Sequence, residues 1–276
     1  AAQGNLAAAT ASGIAGKLFV YRSYQVGEER KQSAWTVWDF GTDAMMDMKV
    51  IDDTLFICTR HIHAANGKTY ARIESMDLSE SPAGLVGPTN GKWNPALDHR
   101  QGPIAGSHSD GTTTWTLSVP DLTANCAVKT DGTVVAVTPN TNGTAVTASG
   151  NLSSGTYYIG RKVEAEITLS TVYARDQQGK PSLDGRTKLK KLVLNHENAG
   201  EYEIEVSNSN ADCPTRTISF TPSDTTSVES LGEQTAWTHG KNTETTVKLK
   251  STNPKPVTWV AMETHGEIDK LMEGKP

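Results

Sequence analysis

Apolar and polar residues alternate with a period of two over short stretches of this chain, the spacing that sends successive side chains to opposite faces of a strand. The pattern is clearest at Val163-Glu164-Ala165-Glu166-Ile167-Thr168-Leu169, at Trp115-Thr116-Leu117-Ser118-Val119, at Tyr202-Glu203-Ile204-Glu205-Val206 and at Val247-Lys248-Leu249. Between such stretches stand Asn66-Gly67, Asn90-Gly91, Asp110-Gly111, Asp131-Gly132, Asn142-Gly143 and Asp184-Gly185. These dipeptides enter the positive-φ region at little cost and close hairpins. No long stretch carries a helical period. Leu6 to Ala11 is alanine-rich, but Thr10-Ala11-Ser12-Gly13 reads as a turn and Leu18-Phe19-Val20-Tyr21 as the strand beyond it. An all-β chain is predicted, with short strands joined by tight turns in a propeller, sandwich or barrel.

Two segments refine this. Ser33-Ala34-Trp35-Thr36-Val37-Trp38-Asp39-Phe40 puts Trp38 and Phe40 on one strand face and Trp35 and Val37 on the other, so a strand buried on both faces is expected, with Trp38 in the core. From Lys188 to Val206 a hairpin is expected, turning at Asn195 to Gly200. Leu189 differs in parity from Leu192 and Leu194, which calls for a β-bulge near Lys190-Lys191. In that hairpin Glu201, Glu203 and Glu205 would lie opposite the lysine-rich strand. Residues 81–95 hold three prolines and three glycines, which deny a continuous ladder. The expected organisation is propeller-like antiparallel hairpins over 1–80, a linker over 81–95 and a β-sandwich-like block over 96–276, with little helix.

Charge narrows the function classes. With 26 Lys and Arg against 31 Asp and Glu over 276 residues, the net charge is -5, the wrong sign for a protein that grips nucleic acid through its phosphates. Three scattered cysteines, Cys58, Cys126 and Cys213, suggest neither a disulfide framework nor a zinc knuckle. No apolar run approaches the ~20 residues of a membrane helix, and no signal-peptide profile is visible. The chain opens on Ala1 rather than Met, which suits a processed product or part of a longer polypeptide.

Candidate chemistry is sparse. His61 and His63 share a strand face, a spacing that suits a metal, but no local acid or sulfur completes the set and Arg60 is adjacent; no metal and no cofactor are expected. Gly106-Ser107-His108 lacks the second glycine of a nucleophile elbow. Asp52-Asp53 reads as a two-residue turn, whose carboxylates point into solvent where nothing raises a pKa for acid work. No catalytic residue is assigned.

The order of segments does carry a signal. Lys17-Leu18-Phe19-Val20-Tyr21, the Gln32 to Phe40 stretch, Asp52 to Arg60 with Tyr70 to Leu78, and Leu97-Asp98-His99-Arg100 follow one another. Thr130-Asp131-Gly132-Thr133, Tyr158-Ile159-Gly160-Arg161, Tyr173-Ala174-Arg175-Asp176-Gln177, Asp184-Gly185-Arg186-Thr187-Lys188-Leu189 and Gly200 to Val206 come after. This series resembles the C-terminal portion of the tail tubular protein B (tail nozzle) family of short-tailed bacteriophages. The resemblance implies that Tyr21, Trp35, Trp38, Phe40, Asp98, Arg100, Gly160, Arg161, Arg175, Asp176, Gly185, Arg186 and Gly200 are structural motif positions. It also implies a virion tail protein assembled in the host cytoplasm, without catalysis. Its expected partners are copies of itself in a ring, a hexamer, together with portal or adaptor and tail-fibre proteins. Genomic DNA would pass through transiently, and no membrane is involved. Family members are several times longer than this chain. Two other classes compete: a carbohydrate-binding β-module of a virion or cell-surface protein, with Trp93, Trp115, Trp237 and Trp259 as stacking candidates, and an envelope hydrolase, which needs paired carboxylates in a cleft.

Overall fold

The computed structural model describes residues 16–26, 29–39, 44–62, 69–78, 84–89, 92–173, 185–209 and 214–270. Among them no helix occurs, and the chain is all-β. It divides into two compact units, Ala1–Ala83 and Gly84–Pro276. The alanine-rich opening lies outside the described residues.

In the first unit β1 (Lys17–Val26) pairs antiparallel with β2 (Glu29–Asp39), and β3 (Ala44–Ile51), β4 (Thr54–Ile62) and β5 (Thr69–Asp77) form a three-stranded meander. Asp52 and Asp53 have φ of 43° and 28°, both positive, as the two-residue turn between β3 and β4 demands. Leu18, Leu55 and Ile57 are buried, with Val20, Trp38, Met45 and Met48 packed around them. The doubly buried aromatic strand is not observed. Trp38 is half-buried on the inner face, whereas Trp35 and Val37 on the other face are 60% and 50% exposed. Among the described residues of this unit, no buried cluster forms on that side of the β1–β2 ribbon. Phe40 lies outside the described residues.

The second unit contains two sandwiches. In the first, β6 (Leu97–Ala105), β9 (Cys126–Lys129), β10 (Val134–Ala136) and β13 (Thr156–Lys162) form a sheet in the order β10-β9-β13-β6. Facing it is β11-β12-β8-β7, built from β7 (Ser107–Ser109), β8 (Thr112–Thr116), β11 (Thr138–Pro139) and β12 (Ala145–Ser149). Asp110 (φ 51°) and Gly111 (φ 74°) turn β7 into β8. Trp115, Val146, Tyr157 and Ile159 fill the space between the sheets, and the Trp115 and Tyr157 rings meet edge-on at 5.1 Å. On β9, Ala127 faces this core while Cys126 and Val128 face a second cluster with Val86 and Trp93. Burial on both sides explains why β9 is apolar without alternating. Part of the segment expected as a linker is packed: Val86 and Trp93 bridge each other and are buried.

In the second sandwich β15 (Gly185–Ala199) lies between β18 (Glu229–Lys241) and β20 (Thr258–Lys270). The facing sheet is β14-β19-β16-β17, from β14 (Ala165–Thr168), β16 (Tyr202–Asn208), β17 (Arg216–Phe220) and β19 (Thr245–Ser251). The β-bulge appears where parity required it: register slips between Leu189 and Lys191 against both neighbours. Leu189, Leu192 and Leu194 are thereby all buried. The expected 188–206 hairpin does not form. Chain direction changes through Asn198 (φ 46°) and the buried Ala199 and Gly200, and β16 enters the opposite sheet. There Tyr202, Ile204 and Val206 share a core with Leu192 and Leu194. A hairpin would have set these two apolar rows side by side in one sheet; crossing between sheets lets them bury each other.

Candidate functional site

Four of the motif residues meet where β6 pairs with β13. Arg161 and Asp98 are register partners, and Arg161 Nη2 pairs with Asp98 Oδ2. The register slips between Ile159 and Arg161. A Cβ on Gly160 would lie 2.6 Å from the Asp98 carbonyl oxygen, so only glycine allows the strands to approach this closely. Arg100 is exposed; its Nη1 donates to Asn94 Oδ1 at 2.6 Å, and its guanidinium stands 5.3 Å from the Tyr158 ring centre. Gly160→Ala should therefore cost about 1–3 kcal/mol, the range for forcing extra atoms into a packed site. Urea denaturation checks it; an unchanged midpoint would show that β6 can move aside.

Between Asp98 and Arg100 the backbone of His99 takes φ 53°, and the imidazole reaches the 118–121 segment that Gln101 also reaches, while Arg100 points to Asn94 and Tyr158. Its Nδ1 lies 3.3 Å from Asp121 Oδ2, and the two side chains are 5% and 4% exposed. Asp121 Oδ1 also accepts from the Thr123 N–H and hydroxyl, both at 2.7 Å. Burial alone would raise the Asp121 pKa, but the bonds from His99 and Thr123 outweigh it and hold the carboxyl at about 2. An ionised carboxylate only accepts, so Nδ1 carries the proton of this contact. The pair looks like part of a catalytic relay but is closed to substrate, and a carboxylate at about 2 is a poor proton acceptor at neutral pH. Sequence reasoning missed it, because Asp121 stands 22 residues along the chain from His99 and no local pattern names a partner across layers.

The remaining assignments are dispersed. Tyr21 and Trp35 are cross-strand partners with ring centres 4.9 Å apart. Gly185 and Arg186 open β15 opposite Lys270 and Asp269. Gly200 sits at the sheet-to-sheet corner, where a Cβ would overlap the Lys255 side chain. Arg175, Asp176, His63, Cys213 and the His61 side chain lie outside the described residues. Among the described residues no three His, Cys, Asp or Glu side chains gather as a metal site. Cys126 is a buried free thiol, pushed up to about 11 by desolvation. Ser107 and His108 are exposed on the short strand β7, with no helix following.

The acidic row has a different partner from the one expected. Glu203 and Glu205 stand opposite Lys250 and Lys248 of β19, not the lysines of β15. Lys250 Nζ donates to Glu205 Oε2 at 2.7 Å, and Glu166 reaches Lys248 and Lys250 at 3.2 and 3.8 Å. The bond from Lys250 pulls the Glu205 carboxyl below its ordinary range. Glu201 instead stands 4.0 Å from Lys255. Of the four tryptophans weighed for sugar stacking, Trp93 and Trp115 are 3% and 0% exposed, Trp259 is half-buried in a core, and Trp237 is 57% exposed.

Comparison with known proteins places this arrangement. One similar protein is the tail tubular protein gp12 of Escherichia phage T7, 22% identical over 227 residues, a match covering 75% of this chain and 27% of that protein. This chain thus spans about a quarter of that relative's length. A solved structure concerned with the promiscuous specificity of carbohydrate-binding modules of the β-sandwich superfamily aligns over 94% of this chain and 85% of its own. It does so at 10% identity and a TM-score of 0.18, which carries no argument about fold or ligand. The family model of the bacteriophage nozzle protein matches residues 1–270, and this chain belongs to that family.

Proposed function

We propose that the chain is a structural part of a bacteriophage tail nozzle, one wall element of the conduit through which the genome leaves, and that it performs no catalysis. The observation that carries this reading is the family match over residues 1–270. The chemistry of the second unit agrees with it. Asp98 is bound to Arg161, Asp121 to His99, Glu205 to Lys250 and Lys255 to a backbone carbonyl, so these charges are committed to holding strands and loops. In this reading copies of the chain stand in a ring of six, in contact with portal or adaptor and tail-fibre proteins, in a tail assembled in the host cytoplasm. Residues 1–80 belong to a propeller-like part and 96–276 to a sandwich-like part, and the motif residues set strand geometry rather than bind a ligand.

A conduit must release the polyanion that moves through it, because each neutralised phosphate deepens a trap. The face bearing Glu203 and Glu205 is largely neutralised by β19. The net charge of -5, multiplied around the ring, is therefore the source of repulsion. Titration of duplex DNA at physiological salt should give a Kd weaker than about 10⁻⁴ M. Sub-micromolar binding or a sequence preference would overturn the conduit reading.

A further inference from the structure

The two sandwiches of the second unit follow each other after only Val163 and Glu164, a connection short enough to serve as a hinge. The loop between β17 and β18 crosses from the second sandwich to the first. Asp224 shapes it, its Oδ1 accepting from the Thr226 N–H and hydroxyl at 2.8 Å each. The Thr226 carbonyl oxygen accepts from Trp93 Nε1 at 3.0 Å. It also lies so close to Gly132, in the β9–β10 turn (φ 96°), that a Cβ there would overlap it. Val228 then packs into the cluster of Val86, Trp93, Cys126 and Val128, so one core of the first sandwich is completed by a side chain of the second. From the other side Lys255, its side chain 1% exposed, donates from Nζ to the Thr225 carbonyl at 2.5 Å. The neighbouring Pro254 carbonyl accepts from Ala96 N–H at 2.7 Å.

We propose that residues 222–228 are a strap, held between Trp93 and Gly132 above and Lys255 below, that abolishes the hinge and makes the two sandwiches one rigid body. Three features support this over an incidental loop contact. Consecutive carbonyls, Thr225 and Thr226, are bound by two different side chains, one of them a lysine taken out of water. A buried ammonium is costly unless hydrogen-bonded, and the Thr225 carbonyl at 2.5 Å takes that bond, with the Glu201 carboxylate farther off at 4.0 Å. The approach at Gly132 excludes every other residue, which ties the β9–β10 turn to the strap by shape as well as by bonding. In a tail, such a junction would pass force from one sandwich to the other without bending.

The test uses the 276-residue chain with spin labels at Thr141→Cys in the first sandwich and Thr243→Cys in the second, both exposed positions, Cys58 and Cys213 being replaced by serine. The parent should show one narrow distance distribution. Gly132→Ala, and separately the double variant Trp93→Phe/Lys255→Met, should broaden it at least twofold. Gly111→Ala, at φ 74° with nothing within 4 Å, should leave it narrow. If Gly132→Ala does not fold, the double variant decides, because both of its replacements keep the bulk of the side chain. A broad distribution in the parent would overturn the strap, as would a narrow one in every strap variant or equal broadening in Gly111→Ala.

Discussion

Trp115→Ala should lower the stability of the second unit by about 3–5 kcal/mol, the range for emptying a large aromatic core site. Trp115 has no exposed surface and meets Tyr157 of the opposite sheet edge-on, so its removal opens a void that neither sheet can fill without leaving its ladder. Val146 is its register partner on β12 and is itself fully buried, which limits relaxation from that side. Urea unfolding followed by hydrogen exchange in β8, β9 and β13 measures the loss where it arises. A loss below about 1 kcal/mol would mean that the facing sheets collapse onto the vacancy. By contrast Trp38, expected from sequence to be as deeply placed, is only half-buried in a core of three fully buried apolar residues. Its replacement by alanine should fall short of the same range.

Asp121→Ala should cost about 2–4 kcal/mol, because it removes the carboxylate that accepts from His99 Nδ1 and from the Thr123 N–H and hydroxyl in a site with little access to water. The native pair also dictates a pH response. The folded Asp121 pKa of about 2 lies below the ordinary 3.8, so between those values the unfolded chain binds the extra proton. Stability from this group is complete above about pH 4 and is lost as pH falls toward 2, amounting to about 2 kcal/mol. Burial lowers the pKa of His196, which lies 2.9 Å from the Tyr202 hydroxyl. Its folded pKa is depressed as well, so it subtracts stability as pH falls below the unfolded value near 6.5. Acid unfolding should therefore show two windows. Asp121→Asn, measured from about pH 5 to about pH 2, should flatten only the lower one, and an unchanged slope there would mean that the carboxyl is not held down by its neighbours.

The class of structure was readable from local pattern. Period-two alternation at Tyr202 to Val206 reports which side chains go inside, and the structure buries Tyr202, Ile204 and Val206. The parity conflict among Leu189, Leu192 and Leu194 is a local fact with one local remedy, and the bulge is there. Asp52-Asp53 and Asp110-Gly111 turn as read because turn chemistry acts over four residues. The ordered motif series identified the family for the same reason: it is a property of the chain itself.

Pairing is different, because alternation says inside or outside but not which strand lies across. Lys188 to Lys191 and Lys248 to Lys250 are equally plausible partners for the glutamates of β16, and sequence proximity favoured the wrong one. Only burial of Leu192 and Leu194 against Tyr202 and Ile204 sends β16 to the other sheet and gives its acids to β19. The exposed face of the β1–β2 ribbon, the inward turn of His99 onto Asp121 and the capture of Thr226 by Trp93, 133 residues away, were equally beyond local reading. Each depends on what packs opposite a residue, and in a sheet protein that neighbour comes from distant chain, so its identity is decided when the layers close and not by the residues on either side.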